Sequence, residues 1–199
     1  PGMRQMLDLW VDADPSETLM DFEELGLLEL IIQRGPEALE GLPKEMRKNQ
    51  EAMAEAIENN VRRTIVDENP VNPKYYERMS VLLDELIDLR RQQAISYQEY
   101  LEKVRELAKQ VKYPQSHSQS AYPESIDTAA KRALYDNLGK DELLVARIDT
   151  AVRYTKKADW YGDRFKEREI AFAIAEETKG YDVTVAEVME LVKAQQEYH

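Results

Sequence analysis

Residues 51–68, EAMAEAIENNVRRTIVDE, decide the fold class of this chain. Four large apolar side chains of this stretch, Met53, Ile57, Val61 and Ile65, recur at every fourth position. That spacing places them on one face of an α-helix, whereas a strand would alternate apolar and polar residues at every second position. The stretch therefore predicts an amphipathic helix that buries one face against other helices.

Proline and short polar residues mark where further helices are expected to begin. Pro43 is predicted to open the helix that contains this stretch, and Asn72-Pro73 is predicted to open the next one. Asp127 and Asp141 are predicted N-caps later in the chain, because a carboxylate can accept the unpaired N–H groups of a first helical turn. The chain therefore reads as a series of helices joined by short turns.

Two capping boxes support this interpretation. Ser96 with Glu99 and Thr184 with Glu187 have the spacing in which the two side chains bind each other's backbone N–H groups. Between them, a helix is predicted after the Trp160-Tyr161-Gly162 turn, with Phe165, Phe172 and Ala175 as its apolar positions. Only residues 181–185 show alternation that would suit a strand.

The expected fold is an all-α, irregular multi-helix bundle of about seven to nine helices, without a substantial sheet. Residues 113–124 are rich in Ser, Gln and Pro, and they predict a linker or a long loop. The expected division is an N-terminal helical bundle at 1–112, this linker, and a C-terminal helical subdomain at 125–199.

The acidity of the chain is concentrated in its first segment. The formal net charge is −12, and residues 1–43 hold ten acidic and two basic residues, a net of −8. An acidic segment repels nucleic acid and favours basic protein surfaces. A solvated helix face is the simpler explanation for such charges.

Composition excludes several classes of protein. The chain has no cysteine and only 2 His and 7 Gly, so thiolate metal sites, cysteine nucleophiles and glycine-rich phosphate loops are disfavoured. No apolar run approaches the ~20 residues that a membrane-spanning helix needs. Since no secretion signal is present, we expect a cytoplasmic protein, and the Pro1-Gly2 start suggests a piece of a larger one. No catalytic, cofactor-binding or metal-binding residue is predicted.

Candidate contact residues come from polar and aromatic positions that the fold alone does not require. Two asparagines in a helix interior, Asn59 and Asn60, are poor helix formers. They indicate either hydrogen bonding across a helix interface or a helix end. Basic pairs such as Arg62-Arg63 would suit phosphate contacts if they converged on one face, with a salt-bridged surface as the alternative. The candidate partner or DNA contacts are Asn59, Asn60, Arg62, Arg63, Trp160, Tyr161 and Arg164.

Five segments of the chain, in order, resemble one known family. They are residues 56–68 (AIENNVRRTIVDE), 71–80 (VNPKYYERMS), 133–138 (ALYDNL), 159–168 (DWYGDRFKER) and 190–198 (ELVKAQQEY). Together they resemble the C-terminal helical region of the R (motor and restriction) subunit of type I restriction enzymes. The resemblance spans most of the chain, and the uninterrupted Asn-Asn-Val-Arg-Arg run is its most specific part.

The resemblance implies a function for the parent protein and a narrower one for this chain. The R subunit is an ATP-dependent DNA translocase and endonuclease that uses ATP and Mg and works with modification and specificity subunits. Its nuclease and ATP motifs lie in upstream domains, and none of them matches this sequence. The resemblance therefore implies a non-catalytic helical module that docks the motor onto the methyltransferase core. The alternative is a module that contacts duplex DNA through basic helix faces.

Overall fold

The structure is a computed structural model that describes residues 28–29, 31–35, 49–114 and 122–199. Within these residues it contains α-helices, one 3₁₀-helix and no strand. The elements are α1 (Gln50–Glu68), α2 (Pro73–Arg91), α3 (Tyr97–Lys112), α4 (Ala129–Asn137), α5 (Glu142–Thr155), α6 (Arg164–Glu177), α7 (Val185–Ala194) and the 3₁₀-helix (Gln196–Tyr198). Residues 28–29 and 31–34 are also helical. The predicted all-α class is confirmed.

Helices α1, α2 and α3 pack together around the first of two apolar cores. The four-residue apolar stripe of α1 lies in this core, where Ile57 and Val61 are fully buried. Burying one such side chain stabilises the fold by about 1.5–3 kcal/mol. The same core takes Leu83 from α2, Val104 from α3 and Ile31 from the shorter helical stretch.

Helices α4 to α7 and the 3₁₀-helix surround the second core. Its apolar side chains include Leu134, Ile148, Ile170 and Val188, one from each of the four α-helices. The 3₁₀-helix closes this core with Tyr198, which is fully buried. The described residues up to 114 are called the first half below, and residues 122–199 the second half.

Side-chain caps are present at most of the helix starts that the sequence predicts. Asn72, Asp141 and Thr184 each accept a backbone N–H in the first turn of their helices. The box at Thr184 is reciprocal, because the Glu187 carboxylate also accepts the Thr184 backbone N–H at 3.0 Å. At Ser96, the hydroxyl accepts the Glu99 N–H at 3.2 Å.

Two local predictions are wrong. The first long helix begins at Gln50, because Asn49 caps it; Pro43 lies outside the described residues. Thr128, rather than Asp127, caps α4, since its hydroxyl accepts the Lys131 N–H at 3.2 Å. Residues 181–185, the segment whose alternation would suit a strand, contain a bend at 181–182 and the first residue of α7.

Polar side chains join the two halves where α2 packs against α4. Asn72 Nδ2 donates to Asp136 Oδ2 at 2.8 Å, and Asn137 Nδ2 donates to Asn72 Oδ1 at 2.9 Å. Gln195 Nε2 adds a bond to the backbone oxygen of Val71 at 2.8 Å. The domain division at 113–124 stays a prediction, and residues 115–121 of that linker lie outside the described residues.

Candidate protein-docking surface

Helix α6 begins where Asp163 can cap it. The Asp163 carboxylate accepts the backbone N–H groups of Phe165 at 2.9 Å and Lys166 at 3.3 Å. The N–H groups of Lys166 and Phe165 lower the pKa of Asp163 below its ordinary value of 3.8, because they stabilise the charged carboxylate. The cap therefore fixes the residue at which α6 begins.

The inward face of α6 carries the aliphatic pair Ile170 and Ile174, both fully buried. Phe165 and Phe172, which the sequence analysis took as the apolar positions of this helix, lie outside the core. They are 84% and 60% exposed, the values of side chains that contact mainly solvent. They are separated by two helical turns, so they lie on one face, opposite the two isoleucines. That prediction is therefore wrong, because the isoleucines form the core stripe.

Arg168 lies between the two phenylalanines on this outer face, with its guanidinium carbon 5.3 Å from the centre of the Phe172 ring. Phe165, Arg168 and Phe172 are called the aromatic face below. Aromatic residues and arginine are enriched in protein interfaces and among the residues that contribute most to binding energy. The outer face of α6 thus exposes two phenylalanine rings and a guanidinium.

Ion pairs support the region around the aromatic face. Lys157 binds Glu169 at 2.5 Å, and Lys193 binds Glu167 at 2.9 Å. The bond from Lys193, together with the Gly162 N–H, lowers the pKa of Glu167 below its ordinary value of 4.5. These contacts join α6 to the segment that precedes it and to α7.

The three candidate contact residues near the start of α6, Trp160, Tyr161 and Arg164, have different surroundings. Trp160 is 1% exposed, and its indole N–H donates to the Tyr198 backbone oxygen at 2.6 Å, so its ring is unavailable to a partner. Tyr161 is exposed, and its ring centre lies 4.6 Å from that of His199. Arg164 is exposed in the first turn of α6, next to Phe165, and it alone of the three adjoins the aromatic face.

The asparagine pair occupies the exposed surface of α1, well inside the helix. Asn60 Nδ2 donates to the backbone oxygen of Ala56 at 2.8 Å, one turn earlier in the same helix. The helix-end explanation is wrong, since α1 continues to Glu68, and among the described residues no hydrogen bond from the pair crosses to another helix. The described contacts give Asn59 no structural role.

Acidic neighbours neutralise most of the basic pairs in the described residues. Arg62 binds Asp84 at 2.6 Å, and Arg63 lies 3.8 Å from Asp67. Arg90, Lys131 and Lys157 also form ion pairs. The candidates fall in two groups: Asn59, Asn60, Arg62 and Arg63 lie on α1, and Trp160, Tyr161 and Arg164 lie in the second half.

Two buried carboxylates escaped the sequence analysis. Glu58 of α1 and Asp149 of α5 are almost completely buried, each with an arginine and a tyrosine. Asp149 binds Arg153 four residues later, a spacing that is visible in the sequence. Glu58 binds Arg90 of another helix, so no local pattern points to that pair.

The described residues contain neither a metal-binding cluster nor a membrane-spanning helix. No group of three or more His, Asp or Glu side chains is placed to hold a metal ion in the described part of the chain. None of its described helices combines the length and apolar character that crossing a membrane requires. Comparisons of the chain with protein-family models, curated proteins and solved structures find no match.

Proposed function

We propose that this chain is the C-terminal helical assembly domain of a type I restriction endonuclease R subunit. In this role it docks the ATP-dependent motor of its parent onto the modification and specificity subunits in the cytoplasm. The resemblance of five ordered segments supports the parent assignment. ATP and Mg would then bind upstream domains of the parent.

The aromatic face is the observation that carries the docking role. Phe165 and Phe172 lie opposite the core stripe of α6, where they contribute little to the stability of the fold. Exposed side chains of this size gain free energy only when a partner covers them. Arg164 and Arg168 lie beside them and can bind carboxylates at the rim of an interface.

Contact with duplex DNA is a weaker candidate. A protein that binds duplex DNA directs Lys and Arg side chains at phosphates on one face. Here Arg62, Arg63 and Lys157 are paired with carboxylates. Those carboxylates would also repel a phosphate backbone, so the aromatic face favours a protein partner over DNA.

Capture by an immobilised modification–specificity complex tests the proposal. The purified chain should be retained at moderate salt without ATP. Replacing both phenylalanines (Phe165→Ala with Phe172→Ala) should weaken retention at least about tenfold, since an interface anchor contributes roughly 2 kcal/mol. Both side chains are exposed, so the fold should change little.

Leu143→Ala is the matched control, because Leu143 is an equally exposed apolar side chain on α5, outside the aromatic face. It should leave retention unchanged. Absence of retention of the unmodified chain contradicts the docking role. Equal weakening by the control would show that the aromatic face is not the contact.

A further inference from the structure

A leucine-lined groove runs between α2 and α3, in the other half of the molecule from the aromatic face. On α2 its lining recurs at three- and four-residue steps, with Leu82, Glu85, Leu86 and Leu89. On α3 it is lined by Leu107 and by polar side chains, and the cavity measures about 380 Å³. Such spacing presents a continuous strip of α2 to whatever occupies the groove.

The floor of the groove and its wall on α2 are mainly apolar. Leu86 and Leu107 form the floor and are buried in the first core. Leu82 and Leu89 form the wall and are 44% and 38% exposed. They are two helical turns, or about 10 Å, apart along α2. A second helix with apolar side chains at i, i+3 or i+4, and i+7 presents anchors over the same distance.

Acidic side chains surround this apolar strip. The charged residues that line the groove are Glu85, Glu102 and Glu106, together with one base, Lys103. Lys103 is itself paired with Glu99 of α3 at 3.1 Å. None of the described residues forms an ion pair with Glu85 or Glu102. The rim is therefore net negative, and two of its carboxylates are available to a cationic partner.

We propose that this leucine groove binds an amphipathic helix of a partner protein that carries leucine-like side chains on one face and Lys or Arg along its flanks. The apolar anchors would cover Leu82 and Leu89, while the flanking cations would reach Glu85 and Glu102. This inference goes beyond the docking role proposed above, and it does not depend on the restriction-enzyme assignment.

The negative charge of the groove rim favours a basic helix over nucleic acid, an anionic membrane or a second copy of this chain. Phosphates of nucleic acid and anionic lipid headgroups would be repelled by the glutamate rim. A second copy of the chain is mismatched as well, because each copy carries a net charge of −12. A basic helix instead gains attraction at the rim and burial of its apolar face in one binding event.

Titration of the whole chain with two synthetic peptides tests the inference. Each peptide is about 18 residues, five helical turns, with leucines at i, i+3, i+4 and i+7. One carries lysines on its flanks, and the other carries glutamates at the same positions. By fluorescence anisotropy, the lysine peptide should bind at least about tenfold more tightly than the glutamate peptide, with a preference that falls as salt rises.

Variants of the chain separate the two parts of the proposal. Leu82→Ser with Leu89→Ser should weaken binding of the lysine peptide at least about tenfold, whereas Val81→Ser, an exposed position on α2 outside the groove lining, should not. Glu85→Lys with Glu102→Lys should reverse the preference toward the glutamate peptide. Circular dichroism confirms that each variant keeps its helices.

Two results would overturn the inference: equal affinity for both peptides, or unchanged affinity in the Leu82 and Leu89 double variant. The outcome is independent of the aromatic face. Phe165→Ala with Phe172→Ala should leave peptide binding unchanged, and failure of capture by the modification–specificity complex would leave the groove result standing.

Discussion

The guanidinium carbon of Arg90 lies 5.5 Å from the ring centre of Tyr100, and both side chains bind one carboxylate oxygen of Glu58. Arg90 Nε donates to it at 2.9 Å, and the Tyr100 hydroxyl donates at 3.0 Å. Glu51 binds the same arginine from the surface at 2.6 Å. Burial opposes the charge of Arg90, but its bonds to Glu51 and Glu58 keep its pKa above the ordinary value.

The second half repeats this arrangement with other residues. Arg153 lies 5.3 Å from the ring centre of Tyr198, and both bind Oδ1 of Asp149, at 2.9 Å and 2.8 Å. Each core therefore contains one carboxylate held between a guanidinium and a tyrosine hydroxyl. Burying such a carboxylate is costly without both partners, so these clusters fix how the helices around them can pack.

Glu58→Gln should destabilise the chain by about 3 kcal/mol, because it leaves the buried Arg90 without its inner carboxylate. The side chain of Glu58 is only 7% exposed, whereas that of Glu51 is 65% exposed. Glu51→Gln is the matched control and should cost less than ~1 kcal/mol. Urea unfolding at neutral pH measures both, and equal losses would contradict the role assigned to burial.

Tyr198→Phe should cost about 1.5–3 kcal/mol, since it removes a hydrogen bond to a buried carboxylate while keeping the ring. Tyr154→Phe removes the same hydroxyl from a tyrosine that is almost fully exposed, and it should change stability by less than ~0.5 kcal/mol. Thermal unfolding followed by circular dichroism compares the two. A negligible effect at Tyr198 would show that its bond to Asp149 contributes little.

Acid should weaken the second half through the caps of α6 and α7. The backbone N–H groups of Lys166 and Phe165 lower the pKa of Asp163, and the Thr184 N–H and hydroxyl lower that of Glu187. A carboxylate whose pKa is lowered by folding stabilises the fold above its unfolded value. The unperturbed values are 3.8 and 4.5. The stabilisation is thus complete above about pH 5.5 and is lost as the pH falls through the lower folded values.

Unfolding free energy measured between pH 7 and pH 3 tests this dependence. Asp163→Asn and Glu187→Gln should each make the unfolding free energy fall less steeply at acidic pH (the acidic limb of the curve), because neither amide titrates. Asp163→Ser keeps a capping oxygen without a charge, so it should flatten the limb and still retain the helix start. A limb that is equally steep in all three variants would assign the acid sensitivity to other carboxylates.

Asn59→Ala should stabilise the chain by up to about 0.7 kcal/mol, because alanine is the better helix former at an exposed interior position. Asn60→Ala should gain less, since it also removes the bond to the Ala56 oxygen. Chemical unfolding measures both gains. A loss of stability in Asn59→Ala would reveal a structural contact that the exposed position does not suggest.

Local patterns in the sequence were sufficient for much of the fold. The four-residue stripe that includes Ile57 and Val61 is buried as predicted, and Thr184 with Glu187 forms the predicted box. These succeed because spacing and capping act within one or two turns. Such patterns were insufficient at Thr128, where two neighbouring residues could both cap and the hydroxyl has the better position.

The candidate site was harder to predict because the largest apolar side chains of α6 are exposed, whereas smaller ones are buried. Phe165 and Phe172 are the largest apolar residues of that helix, yet the smaller Ile170 and Ile174 fill the core. The four-residue spacing of the isoleucines was the signal that could have placed the phenylalanines outside. The Glu58–Arg90 pair and the leucine groove depend on which helices become neighbours, and one sequence does not reveal that.

Oδ1 of Asn72 accepts two hydrogen bonds, one from Tyr75 N–H at 3.3 Å and one from Asn137 Nδ2 at 2.9 Å. The atom that caps α2 thus also accepts one of the hydrogen bonds that join the two halves. Swinging the halves apart would break the Asn137 bond to this oxygen, together with the bonds from Asn72 to Asp136 and from Gln195 to Val71. A shift of the Asn72 side chain at this joint would also disturb the start of α2, because the same side chain serves both.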